Sequence, residues 1–373
     1  MGGIYVHVPF CKSKCTYCDF TSFPDKLCFA ESYMACVYRE MAMRKEELKG
    51  RTFESLYIGG GTPSVIDEKY IAMLVAAARK NFNLTPDAEI TIEMNPGTVS
   101  AGKIDTYLRC GINRFSVGLQ TAIDSQLRDL GRIHTLKDFL ACAKLLKGQN
   151  FSADVMIGLK DQTVSDIEKT IGVAAEAGAS HISMYALTPE DGTPIYTQYL
   201  NGELPDSDEV ADMYAAGVRK LKSLGFERYE ISNFCKNGKF SRHNLNYWKR
   251  GDYIGFGVAA SSCIDNVRLT NTFDLDEYFK CILSSHFAVI DRQEVDAADR
   301  EEEFIMLALR TDAGLNLKDF ESQFGCDFLK KYSVAIEKTS EYIEVNDNFV
   351  KIKEQHLFVQ NGIIVEFLRI NES

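Results

Sequence analysis

Residues 5–20 read Tyr5-Val6-His7-Val8-Pro9-Phe10-Cys11-Lys12-Ser13-Lys14-Cys15-Thr16-Tyr17-Cys18-Asp19-Phe20, a short apolar strand running into a loop with three cysteines. Thiolates at such short spacing hold iron–sulfur clusters. Cys11, Cys15 and Cys18 can bind three irons of a [4Fe-4S] cube and leave the fourth iron open to another ligand. An open iron suits a cluster that takes part in chemistry, not only one that carries electrons. Zinc is the competing reading, but a structural zinc site requires four protein ligands, usually as two short-spaced pairs. No second such pair follows downstream. A disulfide framework fits no better. Eleven cysteines is an odd count, and Cys28, Cys36, Cys110, Cys142, Cys235, Cys263, Cys281 and Cys326 are scattered singly, as a reducing compartment permits.

Outward from this loop, short apolar runs alternate with amphipathic stretches. Ile4–Val8, Ser55–Ile58, Glu89–Met94, Asn113–Val117, Ala153–Ile157 and His181–Ala186 read as buried strands, with Ala30–Leu48, Ile71–Phe82, Leu136–Leu146 and Val164–Ala177 as helices between them. Such alternation predicts βαβ units and a parallel sheet. Six units fit an α/β fold with a partial (β/α)6 barrel of the TIM type, where chemistry sits at the carboxyl ends of the strands. The polar candidates obey that rule. Cys11 follows strand one, Gly59–Thr62 follow strand two, Glu93 and Asn95 end strand three, Gln120 follows strand four, and Asp154 lies within strand five. Glu93 ends its strand where a carboxylate is costly to bury unpaired.

After about Pro205 the pattern changes. Glu209–Leu224 reads as a helix before Phe226–Ile231 and an aromatic, Asn-rich segment ending at Trp248. From about Val289 a small helical module is expected, with helices over Ala297–Leu309, Leu317–Phe324 and Leu329–Thr339. A hairpin over Tyr342–Ile352 and a last helix over Ile363–Leu368 make it winged-helix-like. The expected division is 1–205, 206–288 and 289–373. A net charge of −11 over 373 residues argues against nucleic acid as a partner. No apolar run approaches the ~20 residues of a membrane helix. The first residues lead straight into a strand, so no signal peptide and a cytoplasmic location are expected.

Tyr5-x-His7-x-Pro9-Phe10-Cys11-x3-Cys15-x2-Cys18 resembles the signature of radical S-adenosylmethionine proteins of the oxygen-independent coproporphyrinogen III oxidase group, and the likeness extends over almost the whole chain. It implies that the open iron chelates the amino and carboxylate groups of S-adenosylmethionine, and that an electron from the cluster breaks the sulfonium bond to release a 5′-deoxyadenosyl radical. Glu93, Gln120, Arg132 and Asp154 match cofactor positions of the group, and Tyr5, Tyr17, Gly61 and Thr62 fall within its cofactor motifs. Their chemistry agrees. Glycines in Gly59-Gly60-Gly61-Thr62 let the backbone approach a ligand, a carboxylate at Glu93 suits ribose hydroxyls, and the Arg132 guanidinium suits a methionine carboxylate through a two-pronged bond.

Within the group the chain resembles the heme chaperone branch. The oxidases carry a fourth cysteine two residues after the third, where this chain has Phe20, and an amino-terminal extension, for which four residues before Tyr5 leave no room. Tyr229-Glu230-Ile231-Ser232-Asn233-Phe234 and His243-Asn244-Leu245-Asn246-Tyr247-Trp248 match hallmark segments of the chaperones. The resemblance implies heme as ligand, a heme-acceptor protein and a reductant for the cluster as partners. It makes His243 a candidate axial heme ligand, with Tyr247 and Trp248 as a wall for the porphyrin face. Where relatives usually have a histidine in the segment Gly255–Ser262, Ser261 stands here. Two readings follow: a chaperone that binds and transfers heme, or a radical enzyme such as an oxygen-independent coproporphyrinogen III oxidase.

Overall fold

The computed structural model describes residues 2–369. All six expected strands form, as β1 (Gly2–Val8), β2 (Thr52–Gly60), β3 (Asn83–Met94), β4 (Arg114–Gln120), β5 (Phe151–Ile157) and β6 (His181–Ala186). They pair in chain order, each parallel to the next. The crossovers carry α1 (Ala30–Met43), α2 (Glu68–Asn81), α3 (Ala101–Cys110), α4 (Asp124–Asp129), α5 (Leu136–Leu145) and α6 (Val164–Glu176). Local chemistry sets their starts. Thr135 and Asp138, and likewise Thr163 and Asp166, form reciprocal capping boxes that satisfy the first free N–H groups of α5 and α6. The architecture is the partial (β/α)6 barrel.

The strands alternate in a way that decides the function of the barrel. Ile4, Val6, Leu56, Ile58, Ile90, Ile92, Phe115, Val117, Ala153, Val155 and Ile182 are fully buried and join one apolar core with the surrounding helices. Their neighbours in sequence, on the opposite face of each strand, are Tyr57, Thr91, Glu93, Arg114, Ser116, Ser152, Asp154, His181 and Ser183, and these line an internal cavity. A closed TIM barrel fills its interior with branched apolar side chains. This one is polar inside and hollow.

Beyond β6 come α7 (Pro194–Leu200), α8 (Ser207–Ser223), β7 (Glu227–Arg228), β8 (Asn233–Cys235), α9 (Arg242–Trp248), β9 (Tyr253–Phe256), β10 (Ser261–Ile264), β11 (Val267–Asn271), α10 (Leu275–Leu283) and β12 (Val289–Glu294). β8 closes on β6 antiparallel, whereas β9 returns to pair parallel with β1 and carries β10, β11 and β12 outward. Residues 289–294, expected at the head of the helical module, thus belong to the edge of the large sheet. Buried Glu40 of α1 ties this extension to the barrel by accepting from Gly257 N, Tyr278 Oη and Asn271 Nδ2, each at 2.8 Å.

The rest is an aromatic-rich module whose buried side chains continue the same apolar core: α11 (Ala297–Ala308), β13 (Leu315–Asn316), α12 (Leu317–Phe324), α13 (Phe328–Lys331), α14 (Ser333–Thr339), β14 (Ile343–Val345), β15 (Phe349–Ile352) and α15 (Gln360–Leu368). Helices followed by the β14–β15 hairpin, with β13 paired to β15, make the expected winged-helix-like arrangement. The helix read over Leu329–Thr339 is broken at Tyr332, whose buried ring stacks on Phe328. Among the described residues no helix is long and apolar enough to cross a membrane.

Candidate cluster and cofactor site

The cysteine loop lies over the carboxyl end of the barrel and is tied down at several points. Phe23 N donates to Pro9 O (2.7 Å), Thr16 N to Leu130 O (3.1 Å), and Ile195 N to Thr16 O (3.0 Å). His7 Nε2 lies 2.8 Å from Thr21 O and Nδ1 3.0 Å from Tyr5 Oη. A carbonyl only accepts, so Nε2 carries the proton and Tyr5 donates to Nδ1. Burial keeps this imidazole neutral by lowering its pKa. The loop is also matched to the glycine turn after β2, where Gly61 N donates to Val8 O (2.9 Å) and Thr62 N to Phe10 O (2.7 Å). A Cβ on Gly61 would stand 2.8 Å from Phe10 O and 3.1 Å from Cys11 Sγ, so only glycine allows this approach.

Cys11, Cys15 and Cys18 are all free thiols facing one cavity. Burial raises the pKa of Cys11 and Cys18, and the neighbouring cysteines raise it further, which places the three sulfurs within electrostatic reach of one another. Cys11 Sγ is 3.5 Å from Thr62 Oγ1, and Arg132 Nη1 is 3.7 Å from Cys15 Sγ. Among the described residues no three His, Cys, Asp or Glu side chains are grouped to hold a single metal ion. Zinc draws its ligands onto one point, whereas the thiolates of a cube each take a different iron. Three thiols on one short loop, facing one cavity, fit the thiolate set of a cluster.

Below the loop is a cavity of about 430 Å3, within the size that small-molecule sites occupy (roughly 300–1,000 Å3). Glu93 projects into it from β3. Tyr57 Oη donates to its Oε1 (2.7 Å) and Gly60 N to its Oε2 (3.1 Å). Burial pushes its carboxyl up to about 7, opposed by those bonds and reinforced by the charge of Asp154. Asp154 itself rises to about 6, chiefly through burial and against the hydrogen bonds from Ser183 and Ser116. Arg132 Nη2 donates to Gly118 O (3.1 Å) and Nη1 lies 3.5 Å from Tyr17 Oη, while buried Nε has no partner. An unfilled guanidinium donor thus lies beside two buried carboxylates and the thiol loop. Gln120 completes the wall with φ +67°, a left-handed conformation for a non-glycine residue, at the irregular end of β4. Such strain concentrates at ligand sites.

Cys11, Cys15, Cys18, Tyr17, Gly61, Thr62, Glu93, Gln120, Arg132 and Asp154 thus line one cavity, although the sequence scatters them over 144 positions. Tyr5 stands behind it, stacked on Tyr57 and bonded to His7. The structure does not bring His243 there. It lies at the amino end of the barrel, 2 % exposed, with Nδ1 2.8 Å from Ser55 Oγ and Nε2 3.0 Å from Tyr247 Oη. Both ring nitrogens are occupied, and Tyr57 stacks on its face. Two hydrogen bonds and the stacked Tyr57 ring thus hold His243 in the barrel floor, away from the cysteine loop. Tyr247 is turned edge-on to His243, and the side chain of Trp248 bonds Glu230. Sequence reasoning passed over Tyr57, Ser116 and Ser183, and the signal was their period-2 spacing with the apolar strand residues.

The comparisons with known proteins agree with this geometry. The radical SAM superfamily model matches residues 5–174 and the HemN C-terminal domain model residues 295–360. The chain is 33% identical over 331 residues to heme chaperone HemW of Bacillus subtilis, covering 87% of each chain. It is 31% identical over 376 residues to heme chaperone HemW of Haemophilus influenzae, covering 98% of this chain and 97% of that one. The fold matches the solved coproporphyrinogen III oxidase HemN of Escherichia coli with a TM-score of 0.86, at 20% identity over 98% of this chain and 89% of that one. With cysteine loop, barrel and winged carboxyl-terminal module all in place, the chain belongs to the HemW family of the radical SAM superfamily.

Proposed function

We propose that this protein is a heme chaperone that binds heme and passes it to an acceptor protein, with a [4Fe-4S] cluster and S-adenosylmethionine as resident cofactors. The observation that carries the reading is Phe20: 65% exposed beside the cysteine loop, it stands where the resemblance puts the oxidases' fourth cysteine, while the cofactor-facing residues are retained. Cys11, Cys15 and Cys18 would hold the cluster, which supplies an electron to the sulfonium of bound S-adenosylmethionine. Arg132 would take the methionine carboxylate through its free donor. The turn at Gly60–Thr62 offers backbone groups to the ammonium, and Glu93 accepts from the ribose hydroxyls. Gln120 and Asp154 fix the remaining polar edge, and Tyr17 covers the site beside Arg132. An external reductant is required for the cluster. The acidic net charge argues against nucleic acid, and a cytoplasmic location fits the eleven free cysteines.

The second reading, an oxygen-independent coproporphyrinogen III oxidase, is favoured by the retained cofactor residues and the polar barrel interior. Anaerobic titration of the reconstituted protein with heme, followed by absorbance, separates the two. Saturable one-to-one binding at micromolar affinity or tighter (about −8 kcal/mol) supports the chaperone. Absence of binding, with S-adenosylmethionine-dependent decarboxylation of coproporphyrinogen, overturns it.

A further inference from the structure

The heme-chaperone reading leaves the place of heme open, since both ring nitrogens of His243 are hydrogen-bonded in the barrel floor. The interior of the cavity is unsuited to it. Its walls carry Glu93, Arg132 and Asp154, which an apolar macrocycle would desolvate without hydrogen bonds in return. The rim is different. Phe20 and Ile133 both line the mouth and are 65% and 43% exposed, so an apolar macrocycle lying there would cover apolar surface instead of charge. Lys12 and Lys14 stand on the same rim, and among the described residues neither forms an ion pair. Lys14 Nζ donates only to Phe20 O, at 3.3 Å. Asp19 and Glu190 also lie on the rim, so its positive edge is confined to residues 12–14.

We infer that heme docks across the mouth of the cavity, with the macrocycle on Phe20 and Ile133 and the propionates on Lys12 and Lys14. This inference rests on the heme-chaperone reading and adds its site. Heme so placed covers bound S-adenosylmethionine, so the two ligands tighten each other. By linkage the factor is the same in both directions.

The test is anaerobic heme titration of the cluster-reconstituted protein with and without S-adenosylmethionine, in wild type, Phe20→Ser/Ile133→Ser, Lys12→Glu/Lys14→Glu and Leu283→Ser/Ile290→Ser. The last pair removes exposed apolar groups of α10 and β12 instead. Each rim pair is expected to weaken heme binding by roughly tenfold or more, the lysine pair with reduced salt dependence, while the cluster spectrum reports an intact loop. The Leu283/Ile290 pair is expected to match wild type. Unchanged affinity in both rim pairs, a loss confined to the Leu283/Ile290 pair, or heme affinity indifferent to S-adenosylmethionine overturns the docking site but leaves the chaperone standing. No heme binding by wild type overturns both.

Discussion

Replacing Glu93 by glutamine is expected to stabilise the cofactor-free protein at alkaline pH while weakening its hold on S-adenosylmethionine. Glu93 faces Tyr57 from β2 and Asp154 from β5, and burial lifts its carboxyl from the ordinary 4.5 to about 7. Between those values the folded chain keeps a proton that the unfolded chain has released. Stability from this group is therefore present at low pH, falls as pH climbs through the window, and is gone above about 7. At about 1.4 kcal/mol per pH unit the full cost is about 3 kcal/mol. Glutamine carries no charge and keeps the shape, but its amide cannot accept from both Tyr57 and Gly60, a loss of about 1 kcal/mol. The variant is expected to be about 2 kcal/mol more stable than wild type at pH 8 and about 1 kcal/mol less stable at pH 4.5. Urea unfolding at the two pH values, followed through Trp248, the single tryptophan, reads both. A variant destabilised equally at both pH values would refute the claim that Glu93 is a strained, ligand-awaiting carboxylate.

Cys15→Ala is expected to abolish the cluster absorbance and leave the far-ultraviolet circular dichroism of the apoprotein unchanged, because the loop lies outside the apolar core; a normal cluster spectrum would remove Cys15 from the ligand set. Gly61→Ala pushes a methyl group to 2.8 Å from Phe10 O and 3.1 Å from Cys11 Sγ, so iron per chain after reconstitution should fall, with about 1–3 kcal/mol lost from the fold. His243→Ala removes a buried ring with two hydrogen bonds and should cost about 2–4 kcal/mol while heme affinity stays within twofold of wild type; a specific loss of heme binding would restore the ligand role. Burial holds the His243 pKa at about 3. The unfolded chain therefore takes up a proton that the folded one refuses, and stability from this site is lost as pH falls from about 6.5 towards 3. In His243→Asn that acid limb should be shallower when urea midpoints are compared across pH.

The fold and much of the site were legible because each left a local mark. The cysteine spacing named the cluster before any geometry was known, and short apolar runs between amphipathic helices named the parallel barrel. Strand ends located Glu93, Gln120 and Asp154, because a parallel barrel puts its chemistry at one end. What the pattern missed was short or context-bound. β9 has four residues and β10 four, too few to show a period, and the pairing of β9 with β1 joins positions about 250 residues apart. Tyr57, Ser116 and Ser183 were passed over because polar residues inside an apolar strand look like interruptions until the inward face is known.

From the sequence alone came the cysteine loop, the family resemblance and the six parallel strands of the barrel, since thiol spacing and hydrophobic period are properties of neighbouring residues. Tertiary structure alone decided the fate of single polar groups. His243 has the residue type and motif of a heme ligand, yet both its nitrogens are taken by Ser55, 188 positions away, and by Tyr247. Phe20 is one more aromatic in the sequence and becomes an exposed rim residue only once the loop is laid over the barrel. Whether a polar atom is free or satisfied depends on partners that the fold brings from far along the chain, and no local pattern records them.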